Sequence, residues 1–290
     1  MKQPQWITIC AGLILLLAIV KFGRTVPNKT KVESTAHSED DGHNHGAAGA
    51  SGALSTDSIL YISRKQLKPE QVQTVTALEQ NLNSSTVKDR QLTAYHQLSH
   101  FWGDSIGLFP PYAWYAAEAA RLENSEKTLT FAARLFLDNM QAEQDPALRQ
   151  WEALQAKDLF ERTLAINPAN DSAKVGIGAC YMFGQISPQP MEGILKIMEV
   201  VKKDSTNVYA QLMLVKGSLY SGQLDKAASR LELLTRLDPE NIEVILMTAE
   251  VNERLGKKAI AADWYEKSLR FIKRADMRTD IEKRILELRK

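Results

Sequence analysis

A chain of 290 residues has room for one or two domains. With 44% hydrophobic and 24% charged residues it can build a core, which excludes wholesale disorder. Lys plus Arg (36) almost cancels Asp plus Glu (35), so no global basic field exists to attract nucleic acid, and two cysteines, Cys10 and Cys180, cannot make a disulfide scaffold.

After an N-terminal tail (1–5), Trp6 to Val20 reads WITICAGLILLLAIV without a charge, and Phe22 extends the apolar character past Lys21. A membrane-spanning helix needs about 20 residues, with a lower limit near 17, so residues 6–22 are expected to form a transmembrane anchor. The following Lys21-Phe22-Gly23-Arg24-Thr25-Val26-Pro27 offers no small-residue cleavage pattern, and Cys10 comes too early for a lipoprotein signal. The expectation is therefore an uncleaved, single-pass anchor. Lys21, Arg24, Lys29 and Lys31 follow the span, and the positive-inside rule alone would keep the remainder in the cytoplasm. N-terminal anchors with short leaders commonly deliver the next domain across the membrane. The reading favoured is a cell (inner) membrane protein whose soluble domain is extracytoplasmic, or periplasmic.

Residues 23–58 lose all periodicity. The stretch HSEDDGHNHGAAGASGALSTD is Gly/Ala/Ser-rich and acidic, too poor in large apolar groups to offset chain ordering, and is expected to be a flexible, disordered linker. His37, His43 and His45 lie beside Asp40 and Asp41, residue types that ligate transition metals. A solvated linker that contains histidines is the plainer reading, and no metal or cofactor is assigned.

Residues 59–290 are expected to be helical throughout, with no period-2 strand. Leu67 to Leu82 reads as one helix, Thr86 to Ile106 as another, and Gly107 and Pro110-Pro111 stop the second. Pro111 to Leu122 follows. Ser125 is a candidate N-cap for a helix from Glu126 to Glu143, and Asp145-Pro146 opens the next one. The clearest repeats are 125–168, 171–205, 208–239 and 242–271. Residues 276–290, with Ile281, Ile285 and Leu288 at helical spacing, form a polar-backed capping helix.

The internal period carries most information. Gly222 and Gly256 stand 34 apart, as do Ala227 and Ala261, and Leu231 and Tyr265. Ala156, Phe160 and Pro168 precede Ala227, Leu231 and Pro239 by 71, two periods plus three, and the Pro-rich loop around Ile186-Ser187-Pro188 accommodates the excess. With SGQLDKAASRLELLTRLDPE, LGKKAIAADWYEKSLR and KDLFERTLAINP, this pattern resembles the tetratricopeptide repeat (TPR) family. Gly178 and Ala249 match the small position of a first helix and Tyr181 an aromatic one, whereas Val215 replaces a small residue and Asp204-Ser205 replaces the Asp-Pro ending. The resemblance implies an all-α fold, an α-solenoid of antiparallel helix pairs in a right-handed superhelix, and a groove lined by the first helix of each pair.

Carried onto these repeats, the family's groove positions fall on Thr130 and Arg134, on Val175, Ala179 and Met182, on Tyr209, Leu212, Lys216 and Leu219, and on Leu246, Glu250 and Glu253. Val175, Leu212 and Leu246 equally suit a core. The family's carboxylate clamp for chaperone tails is not expected, since only Arg134 and Lys216 approach its pattern. His96 and His100 stand four apart, but no Glu follows His96 and the zinc-protease pattern is missing. No phosphate loop, nucleophile elbow or paired carboxylates appear, so no enzyme activity and no small-molecule substrate are expected. The sequence points to a membrane-anchored scaffold that binds a protein or peptide in its groove. The alternative is a metal- or redox-related maturation or assembly factor using the His-rich linker.

Overall fold

The computed structural model describes residues 54–290. The anchor expected at 6–22 and the histidines His37, His43 and His45 lie outside the described residues. Among the described residues no helix is long and apolar enough to cross a membrane.

Among these residues are thirteen α-helices, one π-helical turn and no strand. They are α1 (Thr56–Arg64), α2 (Pro69–Asn83), α3 (Lys88–His100), the π turn (Phe101–Ile106), α4 (Phe109–Glu123), α5 (Glu126–Met140), α6 (Pro146–Ile166) and α7 (Asp171–Phe183). Beyond them come α8 (Met191–Lys203), α9 (Val208–Tyr220), α10 (Leu224–Leu237), α11 (Ile242–Arg254), α12 (Lys258–Ser268) and α13 (Ala275–Leu288). Each of α3/α4, α5/α6, α7/α8, α9/α10 and α11/α12 packs as a hairpin, α13 closes on α12, and α5, α7 and α9 also touch successively. The result is the all-α array of stacked helix pairs that the period predicts.

A recurring turn sets that period. Residues 167–170 (NPAN), 204–207 (DSTN) and 238–241 (DPEN) join one pair to the next. In each, the amide of the last residue donates to the carbonyl of the first: Asn170 to Asn167, Asn207 to Asp204 and Asn241 to Asp238. The same three asparagines then cap α7, α9 and α11, accepting from Ala173 N, Ala210 N and Val244 N at 2.8, 2.9 and 3.2 Å. An N-cap oxygen satisfies an amide that has no partner within its helix, so each turn fixes where the next pair begins. The caps are spaced by 37 and then 34 residues, and the longer interval contains the Gly184–Pro190 loop between α7 and α8.

Small residues let the helices of a pair close on each other. A Cβ on Gly193 would stand 2.2 Å from the Gly178 carbonyl oxygen, so α7 and α8 meet there backbone to backbone. Gly193, Ala227 and Ala261 recur at intervals of 34, and both alanines are fully buried. Gly222 and Gly256, at φ +72° and +76°, make the turns within two hairpins, a left-handed conformation that glycine adopts without steric cost.

The core runs as a series of clusters along the array, with most packing between neighbouring helices. The largest extends from Ile59 through Phe136, Trp151 and Phe160 to Met213 and Leu214. Smaller ones fill α9–α11 and α12–α13, and Trp102 lies in a fourth between α2 and α4.

Three local expectations change. The linker expected to reach residue 58 gives way to α1, which Ser55 caps; Ile59 is buried, and Thr56 Oγ1 accepts the Trp151 Nε1 proton at 3.0 Å. The helix expected over 86–106 starts at Lys88 and ends in the π turn, where Gly103 packs so close to Tyr112 that a Cβ would stand 2.9 Å from its ring. The helix expected to reach Glu143 stops at Met140, and Glu143 instead accepts from the Asp145 amide ahead of α6.

Candidate partner-binding groove

The first helices α5, α7, α9 and α11 build the site. On α5, Lys127, Phe131, Arg134 and Asp138 recur at intervals of four, three and four, which places them in one stripe. Phe131 is 66% exposed, unusual for a phenylalanine on a well-packed helix. Arg134 lays its guanidinium over the Tyr209 ring, 5.3 Å from the centroid, so α5 reaches α9 directly. The Tyr209 hydroxyl is buried and finds no hydrogen-bond partner among the described residues. Burial pushes its pKa well above the ordinary phenolic value. Burial likewise raises the Asp138 carboxyl, against the opposing pull of Arg134 and Lys216. Lys216 Nζ on α9 pairs with Glu243 Oε1 on α11 at 2.8 Å. Arg134, Asp138, Lys216 and Glu243 thus form a charged strip of alternating sign across three helices.

Two recesses flank the strip, one with polar walls around a single phenylalanine and one with an apolar wall. One, of about 500 Å³, lies against Phe131, Thr130, Lys127 and Arg134. The other, of about 430 Å³, has Met140, Phe183, Leu219, Tyr220 and Met247 as its apolar wall and Arg149, Lys216 and Glu243 at its edge. Tyr220 is 68% exposed and meets Phe183 edge to face at 6.0 Å. A groove with two aromatic contact points and a charged middle is suited to an extended or helical segment and offers no reacting constellation.

Of the residues expected to line the groove, Thr130, Arg134, Tyr209, Lys216 and Leu219 come together. Val175, Ala179, Met182 and Leu212 do not offer a surface: all four are buried in the helix-to-helix core. The physical reason is plainest for α7, which is apolar nearly all round and packed by α5, α6, α8 and α9, leaving almost no free face. Glu250 is exposed and pairs with Arg254 on its own helix. Glu253 is engaged at the C-terminal end, where it accepts from the Tyr265 hydroxyl at 3.1 Å and pairs with Arg284 of α13; the Arg284 hydrogen bond lowers its pKa. Leu246 is half-buried.

Sequence reasoning passed over Phe131, Asp138, Phe183, Tyr220, Glu243 and Met247. Phe131 and Tyr220 each adjoin a residue that was chosen, Thr130 and Leu219, so a one-residue rotation of the helical face would have found them.

Other chemistry-bearing groups have structural roles. His100 Nδ1 meets Asp104 Oδ2 at 2.8 Å, and His96 is exposed. Among the described residues no group of three His, Cys, Asp or Glu is placed to hold a metal. Cys180 is buried, which pushes its thiol up to about 12 and away from nucleophilic chemistry. Glu152 of α6 is fully buried: Asn139 Nδ2 donates to its Oε1 at 2.8 Å, its Oε2 has no partner among the described residues, and burial pushes its pKa up to about 8.

No protein-family model matches the chain, and no curated protein matches it. Among solved structures it is similar to MamA 41-end from Desulfovibrio magneticus RS-1, at 21% identity over 62% of this chain and 93% of that one (TM-score 0.40). It is also similar to a MamA protein crystal structure, at 15% identity over 62% of this chain and 90% of that one (TM-score 0.39). YrrB, described as a TPR protein with an unusual peptide-binding site, is similar at 15% identity over 72% of this chain and 96% of that one (TM-score 0.39). At such values the fold assignment rests on the helix pairing itself.

Proposed function

We propose that this chain is a scaffold that holds a protein or peptide segment in the groove of α5, α7, α9 and α11, and that residues 6–22 anchor it in a membrane. The supporting observation is the Arg134–Tyr209–Lys216–Glu243 strip with exposed Phe131 and Tyr220 at its flanks. Exposed aromatic rings beside arginine are the side chains that most often dominate binding energy at interfaces. In this reading the chain performs no catalysis. The stretch between anchor and array acts as a tether that raises the local concentration of the groove at the membrane, so that modest affinity suffices to recruit or assemble a complex there. The soluble part lies on the extracytoplasmic side.

Site-specific photo-crosslinking on intact membranes tests this. A photoreactive residue at position 131 or 220 of the full chain is expected to give a discrete adduct in the carbonate-washed pellet, and one at position 283 on the polar α13 none. Adding Arg134→Glu should remove the adduct while leaving the circular dichroism and melting unchanged. Equal adducts from all three positions, or adducts indifferent to Arg134→Glu, would overturn the groove assignment; recovery of the chain in the carbonate supernatant would overturn the anchor.

A further inference from the structure

We infer that a recess between α8, α9 and α10 binds a medium-chain aliphatic carboxylate, its alkyl chain against the methionines of α8 and its head on Arg230. This site is separate from the groove proposed above and does not depend on a partner there.

Helical spacing builds the recess from the faces of three helices. Met191, Ile194 and Met198 stand three and four apart on α8 and form its apolar wall. Leu214, Gly217, Ser218 and Ser221 form its floor at the same kind of spacing on α9, on the opposite side of that helix from Lys216 and Leu219. Lys226 and Arg230, four apart on α10, supply the other wall. Met182 of α7 reaches in from below. A Cβ on Gly217 would stand 2.2 Å from the Met182 Cε, and one on Gly193 2.9 Å from its Cγ, so its side chain fills the room that both glycines leave. The volume is about 270 Å³.

Charge fixes the head group. Lys226 and Arg230 line the recess and no Asp or Glu does. Arg230 is half-buried and held in place: its Nη1 donates to Gln211 Oε1 at 2.7 Å, and the buried Gln211 donates from Nε2 to the Ser205 carbonyl at 2.9 Å. Lys226 Nζ donates to Gln223 Oε1, and neither cation forms an ion pair among the described residues. Burial lowers the Arg230 pKa, the mark of a cation partly removed from water. Glu192, Glu199 and Asp225 each stand one position from a lining residue, about 100° round the helix, and all three are exposed. Gln211 engages one N–H of the guanidinium, whose planar fork suits a carboxylate in a bidentate pair.

The wall decides the rest. Methionine is unbranched and adaptable, so three thioethers shape themselves to a flexible chain better than to a rigid ring. The volume lies just below the range of about 300–1,000 Å³ that takes drug-sized ligands, which suits a single short alkyl chain. Clustered thioethers also suit a soft metal cation, but the lysine and arginine opposite them repel one.

Methionine-methyl NMR tests the inference on the full chain in phosphatidylcholine nanodiscs, with sodium octanoate as the probe. Octanoate is expected to shift the Met182, Met191 and Met198 methyls saturably and to leave those of Met140, Met247 and Met277 in place. Octan-1-ol, of equal length without the charge, should bind about tenfold more weakly, and so should butyrate, which keeps the head and loses the chain. Arg230→Gln should abolish the advantage of octanoate over octanol, and Arg230→Lys should restore part of it, with unchanged circular dichroism. The absence of a saturable shift, shifts confined to Met140 and Met247, or equal affinity for octanoate and octanol would each overturn the inference. So would an advantage of octanoate that survives Arg230→Gln. If that variant fails to fold, the comparison of the three probes on the parent decides alone. The groove is judged separately, by the crosslinking experiment.

Discussion

At the residue scale, Glu152 shows how a side chain unremarkable in sequence becomes consequential once folded. In WEALQAKD it reads as one more helical glutamate, and nothing local marks it for burial; the fold brings Asn139 of the preceding helix over it. Burial penalises the charged form in the folded state, one carboxyl oxygen having no donor among the described residues, and its pKa stands near 8 against an ordinary 4.5. Because the folded state holds this proton more tightly than the unfolded chain, the contribution is fully present below the ordinary value and is lost as pH rises from about 4.5 through about 8. Glu152→Gln should therefore gain stability relative to the parent as pH rises across that window, read as a narrowing and then reversed difference in urea midpoints. A constant difference between the two proteins from about pH 5 to about pH 9 would show that the carboxyl does not titrate in that window.

At the scale of elements, the helix pairs were legible because their markers are local. Gly222 and Gly256 mark hairpin turns, and Ala227 and Ala261 mark close crossings, at the same interval of 34. Asn170, Asn207 and Asn241 would have marked the starts of the first helices with equal clarity, since each pairs with an Asn or Asp three residues before it. Asn207→Ala should cost about 1 kcal/mol, the usual worth of an N-cap, measured by denaturant unfolding, and Asn207→Ser should recover most of the loss. A loss no larger than that of an exposed control would mean that Ser205 and Asp204 hold the turn without it. Two elements stayed hidden in the sequence for a physical reason. Helix α1 has only nine residues, and its contacts come from other elements: Arg64 pairs with Glu79 of α2, and α4 and the distant Trp151 of α6 pack against it. The π turn holds Gly103 close against the ring of Tyr112, a contact that spacing along the chain does not reveal.

For the array as a whole, the stacking of helix pairs was legible in the sequence, and the exposed face of each first helix was not. The family resemblance pointed to the first helices, and of the residues it named, Arg134, Tyr209, Lys216 and Leu219 on α5 and α9 remain at the surface where the candidate groove is drawn. It failed on α7 because a helix buried on all sides has no face for a periodic rule to select, so Val175, Ala179 and Met182 became core. It failed on Glu253 because the capping helix claims that carboxylate through Arg284. Division of the core into separate clusters carries its own expectation. The α12–α13 cluster holds four buried residues, whereas the largest cluster spans helices from α1 to α9. Native-state hydrogen exchange should find α12 and α13 opening at lower free energy than α5 to α8. Uniform protection along the array would indicate one cooperative unit instead.

The stacking of Arg134 on Tyr209 has one more consequence. The guanidinium cannot cover the ring and turn fully toward an arriving anion at once. Against the background of 8 tyrosines and 5 tryptophans, the near-ultraviolet difference spectrum between the parent and Arg134→Ala should therefore isolate the one ring whose cationic cover has been removed.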